Sequence, residues 1–224
     1  MPEPVALFWS GGKDAALAYH ALLHDSSYRV DALITTLSAC GKWVPMHGIH
    51  REVIAAQAES LGVRWISIPL PDRPSNAAYE AALERAFASH LPDTLTTIAA
   101  GDVFLSDVRD YRAGLIEACG YEALFPLWGC DVSTWSCRWA DAAGTAYVNS
   151  VDPGQLAPAF IGRRYNTALV ESLPETVDPA GEQGAFHTVV TDLDAFSATL
   201  HITLGPHDAS GPTTYAPARL APYT

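Results

Sequence analysis

The sequence is poor in basic residues and in cysteine. Its 13 Lys and Arg are outnumbered by 25 Asp and Glu, which gives a formal net charge of -12, and the basic residues are scattered rather than clustered. A nucleic acid partner requires a basic patch, so this class of partner is not favoured. Any anionic substrate must then be held by a local group of donors.

Four cysteines are present, and none of them forms a C-x-x-C pair: Cys40, Cys119, Cys130 and Cys137. Scattered cysteines favour reduced thiols over a disulfide framework or a zinc site. No stretch approaches the roughly 18 apolar residues that a membrane helix needs, and no basic segment of the kind found in signal peptides precedes the first apolar run. We therefore expect a cytoplasmic protein with no membrane partner.

Short apolar runs alternate with helical patterns in the first half of the chain. Predicted strands and helices follow one another at Val5–Trp9, Ala15–Leu23, Val30–Leu37, His50–Leu61, Trp65–Ile68, Ser75–His90, Thr96–Ala100 and Asp107–Cys119. Such alternation requires crossover connections, so the predicted fold class is α/β with a doubly wound, mostly parallel sheet. Ligands bind such sheets at the carboxyl ends of the strands, where the chemistry is expected.

The pattern loosens after residue 128. A helix at about 133–143 and a strand at 146–151 are predicted, and two alternating runs at 186–190 and 198–204 suggest a hairpin. The predicted division is an α/β domain over residues 1–128 and a smaller α+β substrate domain over residues 129–224, with a frayed tail from about residue 208.

A glycine-containing loop, Ser10-Gly11-Gly12-Lys13-Asp14, lies where the first buried strand turns into a helix. At such a junction the backbone N–H groups and the helix dipole point at one place, which suits phosphate. The glycines allow close approach, Ser10 adds a hydroxyl donor and Lys13 adds a positive charge. Asp14 is the predicted Mg²⁺ ligand. The alternative is a turn that only joins strand to helix.

This loop is not a Walker A motif, because that motif needs Gly at position 7 and Ser or Thr at position 14, where this chain has Leu7 and Asp14. It resembles the S-G-G-x-D-[ST] signature of the pyrophosphate-loop ATPases and departs from it at Ala15. The resemblance implies an adenine nucleotide α hydrolase-like, Rossmann-like fold. It also implies an enzyme that splits ATP between the α and β phosphates.

Further short motifs follow in order along nearly the whole chain: Met46-His47-Gly48, Gln57-Ala58, Gly101-Asp102-Val103, Pro126-Leu127-Trp128, Gly162-Arg163 and Gly181–Thr188. Together they resemble the diphthine-ammonia ligase family. The resemblance implies a ligase that uses ATP and Mg²⁺ to adenylate a carboxylate, with release of pyrophosphate and AMP and with ammonium as the nitrogen source. For a true diphthine ligase it implies an elongation factor 2-like protein substrate.

One position departs from the family pattern. The family segment reads G-E-x-G-E, and here Glu182 is retained whereas the second acidic position is Ala185. We therefore expect a family member that acts on another small carboxylate or amide. The alternatives are an ATP- or AMP-binding module without turnover and a pyrophosphate-loop enzyme with a different small-molecule or tRNA substrate. A homodimer is compatible with the sequence.

The predicted site residues form three sets. Catalytic roles are assigned to Lys13, Asp14, Asp102 and Glu182. Nucleotide contacts are assigned to Ser10, Gly11, Gly12, Lys13, Asp14, Thr36, Leu37 and Gly101. Substrate contacts are assigned to His47, Arg109, Glu182, Gly184 and His187.

Each of these residues also has a purely structural interpretation. Gly101-Asp102 is compatible with a simple turn, and Arg109 and Arg112 with surface salt bridges of little energetic value. His187 suits a structural role nearly as well as a substrate contact. The pair His47 and His50 offers too few ligands for zinc.

Overall fold

The computed structural model describes residues 1–131, 134, 138–139, 142 and 144–222. The strands of its largest sheet are β1 (Glu3–Phe8), β2 (Tyr28–Leu37), β5 (Arg64–Pro69), β6 (Thr97–Ala99) and β7 (Glu122–Leu124). All five are parallel and lie in the order β5-β2-β1-β6-β7. Because the order reverses between β1 and β6, the chain is doubly wound and the predicted fold class is confirmed.

Helices cover both faces of this sheet: α1 (Lys13–Leu23), α2 (Arg51–Leu61), α3 (Asn76–His90) and α4 (Ser106–Ala118). Val5 and Leu7 of β1 face a core shared with α1 and α2, whereas Ala6 faces a second core shared with α3 and α4. This alternation follows the two-residue period of a strand that is buried on both faces. The Ser75 side chain caps α3 as predicted, accepting from the Ala78 N–H at 3.3 Å.

Two smaller sheets complete the described part of the chain. Their elements are β3 (Trp43–Val44), β4 (Ile49–His50), β8 (Thr145–Val151), β9 (Phe186–Asp192), β10 (Ile202–Leu204), β11 (Thr214–Tyr215) and β12 (Ala218–Leu220). One sheet has the order β11-β8-β9 and the other β10-β12-β4-β3. A 3₁₀ turn (Pro158–Phe160) and a short helix, α5 (Thr167–Glu171), connect β8 to β9.

The predicted hairpin in the last segment is wrong. β9 pairs antiparallel with β8, and β10 pairs antiparallel with β12. Alternation of apolar and polar residues shows which face of a strand is buried but does not specify its partner, which explains the error. Residues 214–220 are paired rather than frayed, because β11 and β12 extend the two smaller sheets.

Contacts cross the predicted domain boundary. Ala218 of β12 pairs in parallel with Ile49 of β4, so one sheet takes strands from both halves of the chain. The division near residue 128 remains a prediction. The predicted helix at 133–143 and Cys137 lie outside the described residues, apart from isolated positions of that helix.

The described cysteines, Cys40, Cys119 and Cys130, are free thiols. In the same part of the chain, every helix is too short or too polar to cross a membrane.

Candidate functional site

The loop after β1 packs tightly against its neighbours at both glycines. Gly11 has a φ of +82°, and a Cβ atom there would lie 2.5 Å from Ile54 Cδ1 on α2. A Cβ atom on Gly12 would lie 3.1 Å from the Thr188 carbonyl oxygen on β9. Larger residues are therefore disfavoured at Gly11 by its left-handed backbone conformation and by close side-chain contacts, and at Gly12 by its contact with a backbone oxygen.

Two N–H groups at the start of α1 already have hydroxyl partners. Gly12 N–H donates to Ser10 Oγ at 3.3 Å, and Lys13 N–H donates to Thr188 Oγ1 at 3.0 Å. The first N–H groups of a helix have no partner within the helix, so they need such acceptors. Both hydroxyl hydrogens can still donate to an anion.

The Lys13 side chain is buried, with 1% of it exposed. Its ammonium donates to Asp14 Oδ1 at 2.7 Å and to the Ala180 carbonyl oxygen. The ammonium nitrogen also lies 5.2 Å from the centre of the Phe186 ring and 5.6 Å from that of Tyr165. The positive charge expected for phosphate is therefore held between Asp14 and the C-terminal segment.

The end of β6 lies against the start of α1. A Cβ atom on Gly101 would lie 2.9 Å from the Asp14 carbonyl oxygen, so glycine permits the contact. The adjacent Asp102 is buried and accepts from Arg112 Nε at 2.7 Å and from Arg112 Nη2 at 3.3 Å. Arg112 is thus the partner of a predicted catalytic carboxylate rather than part of a surface pair.

Glu182 joins the C-terminal segment to the β6 loop, because its Oε1 accepts from the Val103 N–H at 3.0 Å. The pKa of Glu182 is raised from 4.5 to about 7, mainly by burial. The charges of Asp14 and Asp102 contribute to the rise, whereas the Val103 hydrogen bond and Lys13 oppose it. Such a carboxyl group exchanges a proton near neutral pH, which is suitable for acid–base chemistry.

The structure brings His47 and His187 together, with ring centroids 4.3 Å apart. His187 lies on β9 opposite Ser150 of β8, and the Asn149 amide donates to the His47 carbonyl oxygen. Burial and the nearby charge of Lys13 lower the pKa of His187 to about 4. Burial, together with the charges of His187 and Lys13, lowers the pKa of His47 well below 6.5. Both imidazoles are therefore neutral at physiological pH.

These four residues carry polar atoms that lack partners. His47 Nδ1, His187 Nε2, Asn149 Oδ1 and Ser150 Oγ are buried and have no hydrogen-bond partner among the described residues. Buried polar atoms are nearly always paired, and leaving one unpaired costs about 1–3 kcal/mol. Two of these atoms belong to the neighbouring rings of His47 and His187, so this pair is a candidate contact for a polar ligand.

Four predicted residues are not joined to the loop. Thr36 and Leu37 lie on β2, where Leu37 is fully buried in the core. The Arg109 guanidinium stacks 4.5 Å above the Trp128 ring, and Gly184 forms a turn with a φ of +81°. In the part of the chain that the structure describes, none of the four makes a hydrogen bond or an ion pair with residues 10–14.

Sequence reasoning missed three contributors to the loop. Thr188 and the Ala180 carbonyl contact Lys13, and the Gln57 side chain donates to Gly11 O at 3.2 Å and to Val190 O at 2.7 Å. Thr188 and Gln57 stand inside the motifs of the family resemblance, which is a signal that could have found them. The Ala180 carbonyl carries no side-chain signal.

One cavity among the described residues lies away from the loop. A groove of about 460 Å³ lies between α3 and α4, and its lining includes Glu80, Glu84 and Asp110. Three acidic side chains repel a triphosphate, so this groove does not suit ATP.

Comparison with known proteins supports the loop instead. Residues 3–109 match the family model of the diphthamide synthase N-terminal domain. This part of the chain is similar to that domain family. It is a family of pyrophosphate-loop ATP pyrophosphatases, so the predicted family resemblance is confirmed for this part of the chain. A search of curated proteins found no match to the chain.

The matched region runs from β1 into α4 and includes the loop, His47, Gln57 and Gly101-Asp102. Glu182, His187 and Thr188 lie beyond it. The candidate site is thus completed by residues outside the family match.

Proposed function

We propose that this chain is an ATP-dependent ligase that forms an amide by adenylating a carboxylate, in the manner of diphthine-ammonia ligases. The observation that carries the proposal is the contact of the glycine loop and Lys13 with a second region that supplies Glu182, a carboxyl group with a pKa of about 7. A phosphate-binding loop beside a proton-exchanging group supports phosphate activation followed by acyl transfer.

ATP is the proposed substrate of the loop at the start of α1. Phosphate oxygens would take the Gly12 and Lys13 N–H groups, which now donate to the hydroxyls of Ser10 and Thr188. Those hydroxyls would then turn to donate to phosphate. The Lys13 ammonium neutralises the charge that develops as pyrophosphate leaves.

The donor set also fits Mg²⁺, because hard carboxylate oxygens are its preferred protein ligands. Asp14 is one-third exposed, and its charge raises the pKa of Glu182, so both carboxylates act at one place. Asp102 is engaged by Arg112, and Glu182 is the proposed proton acceptor, which leaves Asp14 as the residue that would hold the ion. Bound Mg²⁺ supplies charge neutralisation for the phosphates.

The proposed reaction has two steps. The substrate carboxylate oxygen attacks the α phosphorus, and the bond from that phosphorus to the bridging oxygen breaks as pyrophosphate leaves. Ammonia then attacks the acyl carbon, the bond to AMP breaks, and the nitrogen loses one proton to the Glu182 carboxylate. This chain's contribution is to position the reactants and to hold charge and protons.

The paired histidines support a small polar acceptor. His47, His187, Asn149 and Ser150 together offer unpartnered nitrogen and oxygen atoms, and the nearby Lys13 contributes positive charge. This combination suits a compact group such as a carboxylate that becomes an amide. An elongation factor 2-like protein that presents the same group is the alternative acceptor.

One observation favours a second candidate, a module that binds nucleotide without turnover. The Lys13 ammonium is already matched by Asp14 and by the Ala180 carbonyl, so the loop is neutralised internally. A nucleotide would then bind in the loop while Lys13 has no catalytic role.

The test is to incubate the full chain with α-labelled ATP, Mg²⁺, ammonium and a panel of small carboxylic acids, and to separate the nucleotide products. The ligase predicts AMP and pyrophosphate that depend on the acid. ADP and orthophosphate would exclude the proposal. Calorimetric ATP binding without any turnover would support the module.

A matched pair of variants assigns the reaction to the loop. Asp14→Asn keeps the shape of the side chain but removes the charge, so turnover is expected to fall by roughly 100-fold or more. Asp107→Asn, on the exposed first turn of α4, changes the net charge equally and is expected to leave turnover unchanged. Equal turnover in the two variants would remove the loop assignment.

A further inference from the structure

The opposite end of α1 carries a second cluster of side chains with no role in the proposed reaction. His20 lies in the last turn of α1 and His24 is its C-terminal cap, so the two rings are four residues apart and share one face of the helix. Asp194 reaches them because it follows β9, which packs beside α1.

The ligand atoms of this cluster are close together. One nitrogen or oxygen atom from each of His20, His24 and Asp194 lies within 4.8 Å of those of the other two. His20 Nε2 and Asp194 Oδ2 are 3.7 Å apart. In a tetrahedral site with bonds of about 2.0–2.1 Å, neighbouring ligand atoms are about 3.4 Å apart, so small side-chain rotations suffice.

A hydrogen bond prepares His24 for a metal. His24 Nδ1 lies 2.9 Å from the His20 carbonyl oxygen, which can only accept, so Nδ1 carries the hydrogen. The lone pair is then left on Nε2. Histidine ligands commonly donate their second ring N–H to a backbone carbonyl in this way, which fixes both tautomer and ring orientation.

We propose that His20, His24 and Asp194 form a binding site for a borderline divalent transition metal such as Zn²⁺, with water as the fourth ligand. Two imidazole nitrogens and one carboxylate oxygen suit Zn²⁺, Ni²⁺ or Cu²⁺, whereas Mg²⁺ and Ca²⁺ prefer oxygen alone. His24 and Asp194 are exposed, so metal and water have access.

The bound ion would tie the segment after β9 to the end of α1. The site lies roughly 10 Å along the helix axis from Lys13, given the rise of 1.5 Å per residue. It is therefore distinct from the Mg²⁺ site of the proposed function and does not depend on that function.

Calorimetric titration of the full chain with Zn²⁺ in a buffer free of chelators tests the site. One binding event in the micromolar range is expected. His24→Ala and Asp194→Asn should each weaken it about tenfold or more, and the His20→Ala/His24→Ala double variant should abolish it. The control His201→Ala removes another exposed histidine and should bind as the wild type does.

Two further readouts make the result decisive. Co²⁺ should give the visible absorption of a tetrahedral site in the wild type but not in the double variant, and Zn²⁺ at a large excess should raise the wild-type Tm by about 5 °C. Circular dichroism confirms that the variants fold. Zn²⁺ binding that is equally tight in the wild type and the double variant would overturn the proposal.

Discussion

The parallel sheet and the C-terminal segment, residues 144–222, contribute to the candidate site in different ways. The sheet positions backbone, since β1 leads into the glycine loop and β6 ends at the Gly101 contact. The C-terminal segment supplies the partners of the loop, through Thr188, Ala180 and Glu182. The family-matched region therefore forms the loop, whereas residues beyond the match provide the groups that contact its N–H groups and the Lys13 ammonium.

Gly11→Ala is the change with the largest expected effect, because it disturbs the packing of the loop against α2 at the residue whose carbonyl oxygen accepts the Val190 N–H of the C-terminal segment. The added Cβ meets Ile54 at 2.5 Å while the backbone stays at a φ of +82°. Overpacking and left-handed strain together should lower the free energy of unfolding by about 3 kcal/mol. Denaturant unfolding measures this change, and nucleotide binding should be lost with it.

Gly62→Ala is the matched control for that variant. Gly62 has a φ of +66° at the end of α2, but nothing lies within 4 Å of the added Cβ. Only the strain of the left-handed backbone remains, and the free energy of unfolding is expected to fall by about 1 kcal/mol. Equal losses in the two variants would show that backbone conformation alone, and not packing against α2, requires glycine at position 11.

Gln57→Leu should have the next largest effect. Gln57 accepts from Trp9 Nε1 at 2.8 Å and donates to Val190 O at 2.7 Å, so it links β1 to β9 from a buried position on α2. Leucine leaves both partners unsatisfied, and a loss of about 2 kcal/mol is expected in denaturant unfolding.

Ser60 provides the comparison for Gln57, since it also joins α2 to the C-terminal segment. Ser60 Oγ donates to Ala198 O at 3.0 Å, but this contact is exposed, and water can replace it. Ser60→Ala should lower the free energy of unfolding by about 0.5 kcal/mol. A Ser60 effect as large as that of Gln57 would contradict the view that burial gives the link its strength.

Glu182→Gln tests whether the C-terminal segment contributes a titrating carboxyl group to the candidate site. Folding raises the pKa of Glu182 from 4.5 to about 7, so the stability gained from its neutral form is present below pH 4.5 and is lost as the pH rises through 7. Relative to the glutamine variant, the wild type should lose on the order of 1 kcal/mol over this range, with allowance for the solvent that reaches the carboxyl group.

Thermal or denaturant unfolding at several pH values measures this difference. Parallel stability curves for the wild type and Glu182→Gln would show that Glu182 is not buried against the β6 loop. The variant should also lose turnover, since glutamine cannot accept the proton from the attacking nitrogen.

Periodicity was sufficient for the parallel sheet but not for the C-terminal segment. Val5, Ala6 and Leu7 alternate between two buried cores, and this continuous apolar run predicts a central strand followed by a helix. Short strands such as β11 and β12 carry too few residues to specify a partner. Their pairing depends on β8 and β4, which lie far away in the sequence.

The site residues could be predicted where their side chains belong to a sequence motif. The loop residues and Glu182 stand in recognisable motifs, but the pKa of Glu182 follows from burial, which no local pattern encodes. Lys13 was expected to point at phosphate. Its contact with the Ala180 carbonyl depends on tertiary packing of a backbone group, so the sequence gives no sign of it.

His187→Gln tests the response of the C-terminal segment to acid. Folding lowers the pKa of His187 from 6.5 to about 4, so the stability that depends on its neutral form is present above pH 6.5 and is lost as the pH falls through 4. Between pH 7 and pH 4 the wild type should therefore lose on the order of 1 kcal/mol more than the variant. His90→Gln, at the exposed end of α3, should follow the wild type. If His187→Gln follows the wild type too, the histidine pair is not held neutral by burial.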